Sequence, residues 1–196
     1  MDGYESFKRI VKVVEHVRSL VDNLPLNDAI AKAQTTCKDY PKVISVIAEA
    51  ASSSRLIRLE ERLRCQLSVI EKYKPIVRPA IDPEFALTLL LYSLDHLEVG
   101  LFLGYPMCCI RSFIDLCRMF FDERHKEELE KVRGSGLNVV LTAGFVPCSL
   151  NCVNAVRAGL LSHLRDVSVI RQIDAELRKK LPHSHPAYQS FYEVLG

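Results

Sequence analysis

Asp82-Pro83-Glu84-Phe85-Ala86-Leu87-Thr88-Leu89-Leu90-Leu91-Tyr92-Ser93-Leu94 is the stretch that decides the fold. Aspartate caps helices well and proline fits the first helical turn, so Asp82-Pro83 reads as a helix start. From Glu84 to about Val99 the segment is apolar nearly all round. That predicts one buried helix at the centre of the molecule, with Leu87, Leu90, Leu91 and Leu94 shielded from water. Thr88 and Ser93 interrupt the run and Asp95, His96 and Glu98 follow it, so it falls short of the roughly twenty apolar residues of a membrane span.

Helical periodicity continues on both sides. Phe7, Ile10, Val11, Val14, Val17, Val21 and Leu24 recur at threes and fours and predict an amphipathic helix ending near Pro25. Shorter helices are expected over 27–38 and from Pro41 to Ala51. Leu56, Leu59, Leu63, Leu67 and Ile70 then form a heptad-like seam suited to an antiparallel hairpin with the first helix. Beyond the central segment, Pro106 opens a helix through Cys117 and Phe121. Charged residues from Asp122 to Arg133 continue or restart it, and Gly134-Ser135-Gly136 ends it. Leu137 to Leu141 is strand-like, but a lone strand has no partner, so it is read as an extended buried connection. Pro147 restarts helix towards Leu164, Asp166 caps another, and a last helical turn or two follows Pro186 with Tyr188, Phe191 and Tyr192. The fold class read from this is all-α: a bundle-like single domain over residues 1–196 with at most a trace of strand. Residues 1–80 form its helical amino-terminal part and residues 81–196 its cysteine-bearing core.

Composition is that of an ordinary globular chain: 48% of the 196 residues are hydrophobic, 26% are charged, and the net charge of +2 is too small to imply nucleic acid. One basic stretch, with Arg55, Arg58, Arg62, Arg64, Lys72, Lys74 and Arg78 against Glu60, Glu61 and Glu71, is read as the solvated side of a helix. It lacks the interleaved aromatics of a stacking surface. The acidic opening Met1-Asp2-Gly3-Tyr4-Glu5 does not read as a secretory leader, so a cytoplasmic protein is expected. A protein partner or a second copy is favoured over nucleic acid, and no membrane is expected.

Seven cysteines is an odd number in a chain too large to need a disulfide framework. Cys37, Cys65 and Cys117 are read as core fillers. The other four fall in two similar segments, Gly104-Tyr105-Pro106-Met107-Cys108-Cys109 and Gly144-Phe145-Val146-Pro147-Cys148-Ser149-Leu150-Asn151-Cys152. Each places a glycine, then a proline, then cysteine near an expected helix start, where free N–H groups and the helix dipole stabilise a thiolate. Cys148 and Cys152, four apart, share a face if helical and suit two ligands of one metal ion. Adjacent Cys108 and Cys109 diverge by about a hundred degrees on a helix, so one of them is expected to point into the core. A shared site of Cys108, Cys109, Cys148 and Cys152 can hold zinc or an iron–sulfur cluster, can contain a disulfide, or can be plain packing without a cofactor; all stay open.

The same two segments, with Phe113 after the first, resemble a mainly archaeal family known only as a domain of unknown function. The resemblance runs from about Asp95 to Gly159. It implies that Cys108, Cys109, Cys148 and Cys152 form that family's site and implies no activity; an archaeal source would favour a disulfide.

Other candidates are weaker. Asp95, His96 and Glu98 offer an acid–base pair, read in preference as a helix end in solvent. His183 and His185 sit in a loop between prolines, and His163 ends a helix. No phosphate loop, H-E-x-x-H or G-x-S-x-G occurs. The leading reading is a metal- or disulfide-stapled binding module, with the basic stretch as a possible contact face. Its rival is a thiol enzyme using one of the four cysteines as a low-pKa thiolate, assisted by His96 or Asp95.

Overall fold

The computed structural model describes residues 3–53, 58–92, 95–115, 121–183 and 190–196. Helix α1 (Gly3–Asn23) forms where the periodicity predicts it, burying Phe7, Ile10, Val11, Val14 and Val17. Helices α2 (Leu26–Thr36) and α3 (Pro41–Ser52) follow, the second with proline in its first turn. Helix α4 (Leu59–Tyr73) packs on α1 through Leu59, Leu63 and Ile70, the seam expected of a hairpin; Leu56 lies outside the described residues.

The central apolar stretch forms two helices instead of one, α5 (Pro83–Tyr92) and α6 (His96–Phe102). Asp95 caps the second, its carboxylate accepting from the Leu97 and Glu98 N–H groups at 3.1 Å each. Phe85, Leu89, Val99 and Phe102 are buried in one core with α1 and α3. Leu87, predicted to be shielded, is only half-buried, and nothing about the side chains of Leu90, Leu91 and Leu94 falls within the described residues. The buried stripe of α5 therefore passes through Phe85 and Leu89.

Helices α7 (Met107–Asp115) and α8 (Glu123–Gly134) lead to a small sheet; Cys117 lies outside the described residues. Strand β1 (Asn138–Thr142) is central, between β2 (Leu161–Leu164) and β3 (Tyr192–Leu195), in the order β2-β1-β3 with both pairings antiparallel. The lone-strand reading of Leu137–Leu141 is thus corrected. Its partners come from segments read as helix: the tail of the helix expected from Pro147, and the turns expected after Pro186. Only α9 (Val153–Arg157) is helical in the first of these, and α10 (Ser168–Lys180) follows β2. The molecule remains mostly helical, and among the described residues no helix is long and apolar enough to cross a membrane.

β1 is buried on both faces, which explains why Val139, Val140 and Leu141 are all apolar instead of alternating. Val140 packs with Ile170, Ile173, Leu177 and Phe191 under α10. Val139 and Leu141 point the other way, into a core with Cys109, Phe145, Leu150, Cys152 and Leu160. The strand is the floor on which the cysteine segments rest.

The basic stretch is not a simple solvated face. Arg62 is 15% exposed and meets the fully buried carboxylate of Asp82 at 2.9 Å, with Glu84 at 3.5 Å. Arg78 is buried, donates to Leu103 O and lies 5.8 Å from the Tyr105 ring centroid. Burial above all, together with the like charge of Arg9, holds its pKa down to about 10. Arg64 and Lys72 reach Glu15 and Glu176 across helix boundaries. Arg55 lies outside the described residues. Much of the stretch's charge is spent inside the fold, tying α4 and the segment after it to their neighbours.

Candidate metal centre

The first cysteine segment begins at the end of α6. Gly104 takes φ +74° there, its N–H reaching Leu101 O, while the Tyr105 N–H reaches Gly100 O. A Cβ at Gly104 would stand 2.7 Å from Ser6 Oγ, so the position suits glycine twice over. The Pro106 carbonyl then accepts from the Cys109 and Ile110 N–H groups, opening α7 with Cys108 and Cys109 in its first turn. The second segment leaves β1 through Gly144, at φ +73°, and runs irregularly to Cys152, the N-cap residue of α9. The Tyr105 and Phe145 rings, 4.9 Å apart, clasp the two segments together.

The four cysteines converge. Cys108 Sγ lies 3.9 Å from Cys109 Sγ and 3.7 Å from Cys152 Sγ. Cys109 Sγ lies 3.8 Å from Cys148 and 3.7 Å from Cys152. All four sulfurs fall within 4.8 Å of one another and could hold a metal ion. None of these separations is that of a disulfide, and all four residues are free thiols.

One geometric expectation is corrected and another holds in part. Cys148 and Cys152 do not share a helix face; a turn closed by Cys152 N–H to Ser149 O brings them together. Of the adjacent pair, Cys109 is buried in the core as expected, yet it does not leave the site, its Sγ lying beside those of Cys108, Cys148 and Cys152. In the first turn of a helix both Cα–Cβ bonds lean towards its N-terminus, so both sulfurs converge on a point beyond the helix end.

The supporting residues were not singled out from sequence, save His163. His125 is fully buried at the start of α8. Its Nδ1 lies 2.7 Å from Asp122 Oδ1, and its Nε2 lies 2.9 Å from the Pro147 carbonyl, a pure acceptor to which Nε2–H donates. Phe121 stacks on its ring. One turn on, Glu128 accepts from the Leu150 N–H at 2.6 Å and the Ser149 hydroxyl at 2.8 Å. Burial opposes ionisation of Glu128, but these bonds and Arg124 outweigh it and hold its pKa below the ordinary glutamate value. His163 does not end a helix: it lies in β2 and its Nε2 meets Leu150 O at 2.9 Å. Asn154 donates to Cys108 Sγ at 3.5 Å. A His125-x-x-Glu128 pair on one helix face was the signal available in the sequence.

The thiols differ in their electrostatics. Burial pushes Cys109 far up, with the neighbouring sulfurs adding to it, and pushes Cys148 up to about 11. Burial acts the same way on Cys108, yet hydrogen bonds from Asn154 and the neighbouring thiols outweigh it and lower its pKa. Four thiolates at this spacing ionise together only around a cation.

The model of the family described as "Protein of unknown function (DUF483)" matches residues 63–181, more than half of the chain. The chain belongs to this family. The DUF483 match runs from α4 to the end of α10, contains all four cysteines, and extends the resemblance seen in the cysteine segments on both sides. Uncharacterized protein MJ1106 of Methanocaldococcus jannaschii is 40% identical over 146 residues, covering 70% of this chain and 79% of its own. An uncharacterized protein of Methanothermobacter thermautotrophicus is 36% identical over 142 residues, covering 70% of this chain and 78% of its own. No solved structure matches.

Of the other candidates, Asp95 caps α6 and pairs with Lys42, and Glu98 accepts from the Lys42 N–H, so both have structural partners. His96 is exposed, with its ring edge-on to Phe113. Cys37 and Cys65 are half-buried, His183 lies far along the chain from the cluster, and His185 is outside the described residues.

Proposed function

We propose that Cys108, Cys109, Cys148 and Cys152 bind one metal ion that staples α7 to the segment between β1 and α9 in a non-enzymatic binding module. The sulfur spacing carries the reading. A tetrahedral ion with metal–sulfur bonds of about 2.3 Å places its ligands about 3.8 Å apart, 1.63 times the bond length. Four of the six sulfur separations are 3.7–3.9 Å, and all six fall within 4.8 Å. Zinc, or a single iron, fits such a set of four thiolates. An iron–sulfur cluster, which spreads its cysteines over several irons, fits this spacing poorly. Four protein ligands close the coordination sphere, the mark of a structural rather than a catalytic site.

Free thiols suit a reducing compartment, and we place the protein in the cytoplasm. The exposed Met107, Val153 and Val156, next to the cysteines in sequence, support a protein partner over nucleic acid. The experiment is elemental analysis of protein purified without added metal, paired with a thiol count. One zinc or iron per chain is expected, with four thiols slow to react until a chelator is added. Metal-free protein with all thiols reactive would overturn the reading.

The rival, a thiol enzyme, rests on Cys108, which is half-buried and has a lowered pKa. It requires Cys108 to alkylate unusually fast near neutral pH in protein that carries no metal.

A further inference from the structure

Beside the cysteines lies a cavity of about 150 Å³, and Cys109 forms part of its wall. Leu89, Val99, Ile110, Phe113 and Phe145 are among the apolar residues that line the rest. The space exists because Ala80, Ala86 and Ala143 line it where larger side chains would fill it. Gly144 contributes as well: a Cβ built there meets nothing within 4 Å. Gly100, by contrast, is packed tightly, and a Cβ there would stand 2.9 Å from Ile110, so that wall is fixed. The exposed members of the wall are His96 and Gly144, which puts the opening between α6 and the turn after β1.

We propose that this cavity binds one small, mainly apolar molecule of about the size of a single aromatic ring, carrying one hydrogen-bonding group at the His96 end. A site of roughly this volume lined by aliphatic and aromatic side chains stays dry and takes a benzene-sized guest. The His96 imidazole, held edge-on to Phe113 at 5.5 Å, is the exposed polar side chain of the wall, where Tyr105 is half-buried, and it sets the orientation of the guest. A guest against Cys109 touches a metal ligand, so its arrival registers at the metal centre. That last clause rests on the metal reading; the binding itself does not.

The test is a ¹⁹F NMR titration of the protein as purified with 4-fluorophenol and 4-fluorotoluene. Saturable binding of one molecule per chain is expected, with the phenol preferred. Ala86→Leu, which fills the cavity, should weaken both probes by at least about tenfold. His96→Ala should abolish the preference for the phenol while leaving the toluene bound. Nuclear Overhauser contacts from the probe to the Leu89 and Ile110 methyl groups locate it without any substitution. In cobalt-substituted protein, saturation with the phenol should shift the sulfur-to-cobalt charge-transfer band. Absence of saturable binding, or binding that is indifferent to Ala86→Leu with no contacts to Leu89 and Ile110, overturns the proposal. Protein that binds the probes but takes up no metal sinks the metal reading alone.

Discussion

Removing the proposed metal should loosen one end of the molecule and spare the other. In the proposed staple the cysteines tie the first turn of α7 to an irregular segment, 143–152, that has little regular secondary structure of its own. A site of this kind does not exist in the unfolded chain, so the free energy of binding is free energy of folding. With free metal at about a thousand times its Kd, the stabilisation is about 4 kcal/mol. For a chain of this length each kcal/mol moves Tm by about 2–4 °C, so chelation should lower Tm by about 8–16 °C. Scanning calorimetry before chelation, after it, and after zinc is restored measures this directly. Hydrogen exchange should place the loss at the Leu150 and Cys152 amides, while α1 to α3, which pack in a separate core, keep their protection. Cys152→Ser should melt at the lower temperature with or without chelator. Chelated and untreated protein melting together, with metal shown to be removed, would refute the staple.

Further outcomes follow from the surroundings of the site and from the buried charges. His125→Ala and Glu128→Gln each free the 147–150 segment without touching a ligand, and each should weaken zinc affinity by about 10–100-fold in a competition titration with a chromogenic chelator; unchanged affinity would show that the segment holds itself. Asp82→Ala leaves the nearly buried Arg62 guanidinium with the more distant, part-exposed Glu84, and urea unfolding should show a loss of about 3 kcal/mol, the low end for a broken buried pair, against about 0.5 or less if Arg62 were merely a surface charge. Hydrogen bonds from Lys180, Lys72 and Tyr73 hold the Glu176 pKa at about 2. A depressed carboxylate stabilises the fold above its unfolded pKa of about 4.3 and loses that contribution as pH falls through the folded value. The stability gap between parent and Glu176→Gln should therefore be full at neutral pH and close towards pH 2; a gap independent of pH would refute the network.

The helices were legible because each amphipathic one writes its buried face into a local period. Phe7, Ile10, Val11, Val14 and Val17 need no knowledge of their partner to announce a stripe, and all are buried. The sheet was illegible for the opposite reason. Its outer strands are four residues each, too short to show alternation, and β1 is buried on both faces, so it shows none. Pairing Val139 with His163 and Leu195 is a decision taken across 24 and 56 residues of chain, and nothing local records it. The basic stretch misled in the same way, because the carboxylate that buries Arg62 stands twenty residues further on.

The site divides along the same line. Glycine, proline and cysteine repeated in two segments marked the four cysteines that cluster, since the pattern acts within a few residues: a left-handed turn at Gly104 and Gly144 and, in the first segment, a helix start with both sulfurs in its first turn. The angle argument against Cys108 and Cys109 facing one ion treated the helix as a cylinder and the ion as lying beside it. At the N-terminal turn there is no preceding turn to block the space beyond the end, and two side chains that diverge around the axis converge ahead of it. The same reasoning makes the position matter more than the spacing. Moved one helical turn towards Asp115, an adjacent cysteine pair would face the turn before it, with its sulfurs diverging around the cylinder, and could not share one ion without distortion. The pair is compatible with a closed four-thiolate site because Gly104 and Pro106 put the helix start immediately before it.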